Sequence, residues 1–548
     1  MPATRRLPMG RQIAVQPPPQ IRYLSKNWEG IVDAPQPNTP NENWLSVARN
    51  IWLRDAELAG TIADGRPGFR VLGGQLGDSG RRVGQTLLRW VQQSNATART
   101  VAMVGGIVST LDWTTETWTT ELDDSDFTGA GVTRSTSART YAVPFGDKLI
   151  FSDGINRPWT WDGTSHGGIA VISACPVLFG RPWVYYKKFF GIKATERSTI
   201  TWSEEADETT GYESGGFNNA WTVAQTSQDP LVAGWPFNDY MLLFRNRSIT
   251  AITGRVTTDF EATGTRESVS EDLGTSSPAA VWSAGDFAYF VGSDRKLYRT
   301  SRGAAPEEVA KGSRNAVHGT LATALDRAIV APWTVGYAVV FALVDQGAEG
   351  PSRCVLVDTR TGECSGIWDG WQMTELAQLV DDEGTLVMAH VGGLTADSAS
   401  DGYAFVHGTP DGALWDDFGA GNTAIRHEAG VTLGWDTTFV KRFDRVDTTW
   451  LLSTDLSNVL VSATTPQDEL SAVNGGSLVG TAGGRYDESL YDEALYAGDP
   501  VEGKLAVGLA NEGRWQQLRF THHELGERFR LTGIAQLAFA LDTRAGAP

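Results

Sequence analysis

Cysteine is scarce: 3 in 548 residues, at Cys175, Cys354 and Cys364. So few and so scattered, they exclude a disulfide framework or a cysteine zinc site. They read as buried small side chains in a protein that matures in a reducing compartment. Cys354 and Cys364 flank one hairpin, but the same compartment argument speaks against a bridge between them. Long apolar runs are lacking as well. The longest, Val335 to Val344, is interrupted by Gly336 and falls well short of the roughly 20 residues a membrane helix needs. The arginines near the N-terminus are not followed by the apolar core of a signal peptide, so a soluble chain without a secretion signal is expected. Positive charge is in deficit, Lys+Arg 46 against Asp+Glu 65, for a net charge of −19. Such a body repels nucleic-acid phosphate and anionic lipid. Specific DNA binding is disfavoured, whereas a duplex sliding past an acidic wall is compatible with it.

What is abundant is Gly 61, Trp 20, Phe 21 and Tyr 13, with only 20% charged residues. That is the composition of short strands and tight turns rather than of long amphipathic helices. The fold class expected is all-β, and the length allows two or three domains.

Residues 1–70 differ from the rest. Pro17, Pro18 and Pro19 stand in a row, and prolines recur from Pro35 to Pro40, so neither helix nor central strand persists there. This is read as an extended arm. Its first part carries Arg5, Arg6, Arg11, Arg22 and Lys26 with no acidic residue. The plain reading is a disordered basic tail; the favoured one is a segment that orders on a neighbouring subunit, with those five residues as candidate contacts.

Over residues 71–418 a phrase recurs: an apolar run, a pivot of Gly, Asn or Asp, then a second apolar run. Examples are Tyr141–Phe145, Gly146–Asp147 and Leu149–Phe151, or Val281–Trp282, Gly285–Asp286 and Phe287–Val291. Pivots fall at residues 105, 146, 187, 238, 285, 336 and 383, a spacing of about 40–50 residues that suits four-stranded propeller blades. A β-propeller of about seven blades is expected, since sheets stacked radially cover each other's faces and leave short edges. Polar hairpins such as Asp358–Gly362 belong at the rim, with Trp159, Trp161, Trp202, Trp368 and Trp371 between blades. A pair of β-sandwiches, the rival, predicts turns every 8–12 residues or so without the longer period. From residue 419 to 548 the rhythm changes to that of an antiparallel β-sandwich, clearest in Leu537, Phe539 and Leu541. A tandem repeat, Tyr486–Leu490 and Tyr491–Leu495, reads as an exposed acidic and aromatic loop.

Candidate chemistry is thin. Gly77-Asp78-Ser79-Gly80 imitates the nucleophile region of trypsin-like proteases, but that family places histidine and aspartate before the serine and the first histidine here is His166. His166, His318, His390, His407, His427, His522 and His523 show no metal-ligand spacing, so a metal would need long-range convergence. Carboxylates cluster at Asp123–Asp124–Asp126, Glu204–Glu205–Asp207 and Asp381–Asp382–Glu383. They sit in expected turns, where acids cap backbone N–H groups. Two of them across a cleft would be a glycosidase pair. Thr409–Trp415 resembles the sialidase Asp-box but lacks the residue between Asp411 and Gly412. No phosphate-binding glycine loop is present. No catalytic residue, cofactor or metal is assigned.

Asn43–Asn50, Ile51-Trp-Leu-Arg-Asp55 and Gly65-Arg-Pro-Gly-Phe69, followed by Phe151–Gly154, Trp161–Gly163, Thr201–Ser203 and Leu243–Gly254, are turn-and-strand phrases in an order that resembles tailed-bacteriophage neck and tail-nozzle proteins, the packaged-DNA stabilisation family. The likeness spans roughly residues 43–320. It implies a non-enzymatic virion component assembled in the host cytoplasm. Its partners would be copies of itself in a ring and other tail or portal-side proteins, with DNA close by and not specifically bound. The alternative is a monomeric carbohydrate-binding or glycoside-cleaving propeller, with carboxylates and tryptophans together at one mouth.

Overall fold

The computed structural model describes residues 20–25, 30–31, 44–45, 47–56, 60–78, 80–213, 219–223, 229–237, 239–254, 264–334, 337–393 and 401–408, and the strands at 417–418, 424–425, 429–452, 456–464, 469–478, 501–522 and 530–540. Arg5, Arg6, Arg11, Lys26, Ser79, His427, His523, the segment 409–415 and the 486–495 repeat lie outside them.

Antiparallel pairing builds seven four-stranded blades. Blade 1 is Gly84–Val91, Ala98–Val104, Ile107–Asp112 and Thr117–Leu122. Blade 2 is Tyr141–Phe145, Lys148–Ser152, Trp159–Trp161 and Ile169–Val171. Blade 3 is Leu178–Tyr185, Lys188–Lys193, Thr199–Glu204 and Asp207–Gly211. Blade 4 is Leu231–Pro236, Tyr240–Arg245, Ile249–Thr253 and Thr265–Ser270. Blade 5 is Val281–Ala284, Phe287–Val291, Leu297–Thr300 and Glu307–Glu308. Blade 6 is Ile329–Trp333, Ala338–Val344, Pro351–Asp358 and Cys364–Trp368. Blade 7 takes Gln372–Val380, Leu386–Gly393 and Tyr403–His407 from late in the chain and its fourth strand, Phe69–Val71, from early in it.

The first strand of each blade touches the first strand of the next, and that of blade 7 touches that of blade 1, so these strands form a closed inner ring around an axis. Second strands lie under neighbouring sheets on both faces. Ala338–Val344 is buried at every position, and from residue 146 onward the apolar run after each pivot is such a second strand. The pivots at residues 146, 187, 285 and 383 are turns between first and second strands; those at 238 and 336 lie outside the described residues. The one at residue 105 is a turn between second and third, Gly105–Gly106. Its true counterpart in blade 1 is the Gln92–Thr97 turn, where Ala96 takes φ +56°. The basic pivot of blade 3 is a tight turn with both Tyr186 and Lys187 left-handed, at φ 46° and 56°, as a type I′ hairpin demands. The five tryptophans expected between blades are all buried there, as are the three cysteines, which are free thiols. Burial pushes Cys354 up to about 12, which makes it an inert thiol.

The early strands are more than an arm. Ile51–Ala56 and Gly60–Gly65 form a hairpin that extends blade 6, with Trp52 opposite Gly366, and residues 69–71 close blade 7. The expected arm boundary at residue 70 therefore falls inside folded structure, because Ile51, Trp52, Leu53 and Phe69 carry enough apolar surface to be buried. Of the arm's basic residues, Arg22 lies in Gln20–Ser25, opposite Gln536.

At the other end, Ala429–Leu452, Leu456–Thr464, Glu469–Leu478, Val501–His522 and Arg530–Ala540 are antiparallel strands. Leu531 pairs with Ala63, which makes them continuous with the hairpin and blade 6. Val446, Trp450, Val507, Phe520 and Leu531 share one buried cluster with Leu53, Tyr289 and Phe341. These pairings describe one path; they do not divide it into the two facing layers expected of a sandwich over 419–548.

Candidate functional site

The inner ring brings together side chains that the sequence keeps far apart. Arg139, two residues before the first strand of blade 2, reaches past blade 1 to Glu375 on the first strand of blade 7, with Nη2 donating to Oε2 at 2.6 Å. The bridge links blades 2 and 7 beside the start of the blade 1 inner strand, where Thr140 N–H donates to the Gln85 carbonyl. Arg181, on the first strand of blade 3, lies with its guanidinium 5.0 Å from the ring centroid of Trp235 in blade 4 and 4.9 Å from that of Trp282 in blade 5. Tyr141 lies under the Arg139 guanidinium at 5.4 Å and packs against the core of blades 6 and 7. These residues form a belt across the axis. Arg139 and Glu375 sit on or beside innermost strands, and 22% and 14% of their side-chain surfaces stay accessible.

Local structure explains the aim of each group. The register of Gln372–Val380 is bulged between Met373 and Glu375, and that of Leu178–Tyr185 between Phe179 and Trp183, around Arg181. Bulges bend a strand and redirect its side chains. Gly180, at φ +66°, enters the second bulge, where a Cβ would meet Pro278 at 2.9 Å. Arg139 is set by the buried Gln85. Its Nε2 donates to the carbonyls of Ala138 and Ser135 at 2.7 and 3.0 Å, while its Oε1 accepts from Gly106 N–H at 2.6 Å.

Electrostatics follow from depth. Burial raises the Glu375 carboxyl above its ordinary range despite Arg139 and Arg181 nearby, lowers Arg181 and raises the Tyr141 phenol, because a low dielectric penalises each charged form. On Arg139 the burial is outweighed by Glu375 and Tyr141, and its net shift is upward. The belt is two guanidinium groups, one carboxylate, a phenol and two indoles. Among the described residues it has one carboxylate where a glycosidase pair needs two, and no nucleophile beside a base.

The expected carboxylate clusters do not converge on it. Asp123 caps the six-residue helix Asp124–Gly129 in a capping box with Asp126. Asp126 Oδ2 also lies 3.1 Å from His166 Nδ1. Asp123, Asp126 and His166 offer ligand atoms within 4.8 Å of one another. Both carboxylates already accept hydrogen bonds from the chain, Asp123 from Ser125 N–H and Asp126 from Asp123 N–H, which is what a helix cap does without a metal. Asp124 bridges Arg81 and Arg134, whose hydrogen bonds lower its carboxyl to about 2. Glu204 accepts from Lys188 and Asn219, Asp207 from Thr209 and Thr210, and Asp381 from Thr385 N–H. These are turn and strand-end contacts.

Sequence reasoning missed a second convergence as well. His390 Nδ1 and His407 Nε2 lie 2.9 Å apart, 0% and 3% exposed. Phe69, Trp371 and Phe405 surround them, and the Arg66 guanidinium lies over Phe69 and Trp371 at 5.8 and 5.2 Å. Desolvation, then His390 and Arg66, holds His407 well below the ordinary histidine value. Two histidines on paired strands, 17 residues apart, give no motif to find.

No family model matches the chain, and no curated protein does. Solved structures similar to it include BamB from Moraxella catarrhalis, 14% identical over 66% of this chain and 94% of that one, with a TM-score of 0.36. Others are the computationally designed Ika8 protein, 11% identical over 63% and 99% with a TM-score of 0.33, and PorZ, a surface component of the type-IX secretion system of Porphyromonas gingivalis, 10% identical over 69% and 44% with a TM-score of 0.36. At such scores the likenesses carry no argument, and the seven-bladed arrangement rests on the strand pairings and the closed inner ring.

Proposed function

We propose that the chain is a structural component of a tailed-phage neck or tail, working by assembly and by retention or passage of DNA rather than by catalysis. The observation that supports this most is the pairing of Gln20–Ser25, inside the basic arm, as an added strand on Arg530–Ala540. A strand laid on a sheet edge from the end of a Pro-rich linker can be given by the same chain or by the next copy, the economy that underlies strand addition and domain swapping. The body is acidic and the arm basic, so a neighbouring copy presents the charge the arm needs. Other tail or portal-side proteins would meet the same ring, and an acidic channel would let DNA pass without holding it.

The test is the solution mass of the full chain and of a chain lacking residues 1–40, by light scattering, with mass spectrometry of phage particles. A ring-sized oligomer lost on truncation, and ring-like copy number in virions, is the expected result. A monomer absent from particles would refute it and leave the glycan-binding propeller as the reading to pursue.

A further inference from the structure

Blade 3 buries a lysine beside aromatic core. Successive side chains of a strand alternate between faces, so Lys188 shares a face of the second strand with Phe190, and Glu204 shares a face of the third with Trp202. Phe190 pairs with Trp202. Asn219, whose carbonyl accepts from Trp202 N–H at 3.1 Å, comes one position beyond the pair of Ala220 and Thr201. Lys188, Glu204 and Asn219 therefore meet at the margin of the cluster of Trp183, Phe190, Trp202 and Trp221, with Lys188 and Asn219 only 4% and 1% exposed. One carboxylate joins them: Glu204 Oε2 lies 3.4 Å from Lys188 Nζ, and Glu204 Oε1 accepts from Asn219 Nδ2 at 2.8 Å. Gly211, at φ +99°, closes over the amide, where a Cβ would meet Asn219 Nδ2 at 2.8 Å. Two features of the arrangement are unfavourable as they stand. Lys188 is an ammonium taken out of water for an ion pair of 3.4 Å, and Asn219 Oδ1 is buried with no hydrogen-bond partner.

We propose that Lys188 and Asn219 join in an intramolecular isopeptide bond, with Glu204 as the proton carrier. Glu204 takes a proton from the Lys188 ammonium, and the free amine attacks Cγ of Asn219 to form the Nζ–Cγ bond. Glu204 passes its proton to Nδ2 and takes a second from Nζ. The Cγ–Nδ2 bond then breaks, and the departing ammonia picks up that second proton as ammonium, which restores the carboxylate. Nothing is oxidised or reduced. The flexible four-carbon stem of Lys188 carries Nζ from the carboxylate to Cγ, and holding amine, amide and carboxylate together replaces a collision in solution. Turning the Asn219 amide by half a turn presents Oδ1 to the protonated Glu204 as an acceptor. The product removes the buried ammonium altogether. It also ties the second strand of blade 3 to the start of Ala220–Thr222, a cross-link that restricts the unfolded chain whether or not the protein belongs to a virion.

The test is mass spectrometry of the full chain, purified folded and then denatured. A tryptic digest of the wild type should hold a branched peptide joining Lys188 to Asn219, lighter by one ammonia than its two parts, with no cleavage after Lys188. Lys188→Arg keeps the positive charge without the nucleophilic amine and should lose the branched peptide and the missing ammonia together. Glu204→Gln should lower the cross-linked fraction by at least about tenfold, the smaller side of what a positioned proton carrier contributes. The proposal is overturned if trypsin cuts after Lys188 in the wild type and an acylating reagent labels that amine in the unfolded chain. It is overturned equally if the missing ammonia persists in Lys188→Arg, or if the cross-link forms undiminished in Glu204→Gln. Should neither variant fold, the wild-type digest alone decides.

Discussion

Lowering the pH from about 7.5 to about 5.5 should loosen the propeller at one seam. His390 and His407 sit where the early strand Phe69–Val71 completes blade 7, and His407 is the residue opposite Phe69 in that pairing. Burial keeps His407 neutral in the folded protein, its value well below the ordinary 6.5, while the unfolded chain takes up a proton near that ordinary value. A folded value that is depressed means the unfolded state binds more protons at acid pH, so stability falls as pH drops below about 6.5 and is unaffected above it. One such histidine costs about 1.4 kcal/mol at pH 5.5 and roughly twice that one unit lower. Urea midpoints of the wild type and His407→Gln at both pH values isolate this contribution, since surface carboxylates titrate alike in the two. Hydrogen exchange at residues 69–71 and 403–407 should rise first in the wild type. If His407→Gln loses as much stability as the wild type between these pH values, the histidine pair is not what titrates and the reasoning fails.

Phe69→Ala should cost about 3–5 kcal/mol, because the ring contacts Trp371, His390, Phe405 and His407 at the seam; chemical denaturation measures it, and a loss below about 1 kcal/mol would mean the strand contributes little to closure. Gly234→Ala should destabilise by about 1–3 kcal/mol by overpacking, since a Cβ there would meet the Trp183 ring at 2.4 Å; a neutral result would show the ring free to shift. Gln85→Ala should cost about 1–3 kcal/mol by leaving Gly106 N–H and the carbonyls of Ser135 and Ala138 without their amide partner; chemical denaturation measures it, and a neutral result would show those groups satisfied some other way.

The repeat was legible because the second strand of each blade is covered on both faces and so spells an unbroken apolar run, while the turn before it carries Gly-Asp in blades 2 and 5. Blade 1 shows the limit. Gly105–Gly106 is a louder turn signal than the Ser94–Ala96 turn, so the spacing locks on one strand late. Phe69–Val71 is three residues long, too short for any alternation, and its Arg-Pro-Gly-Phe lead-in reads as the end of an arm. The axial belt is illegible for another reason. Arg139, Arg181 and Glu375 come from blades 2, 3 and 7, and what aims two of them is a pair of bulges, which leave no mark in hydrophobic periodicity. The carboxylate clusters, conspicuous in the sequence, are engaged as caps, turn contacts and ion-pair partners.

Ring closure by an early strand also bears on how the protein is made. Trp368 Nε1 donates to the carbonyl of Ile51, 317 residues away, and blade 7 waits for residues 403–407 before Phe69–Val71 has anything to pair with. A ribosome that stops early releases blades with open edges on both sides of the gap, and open edges aggregate or attract proteases. Only a chain translated past residue 407 can shut the ring, so completeness of synthesis up to that point is inspected by the fold itself.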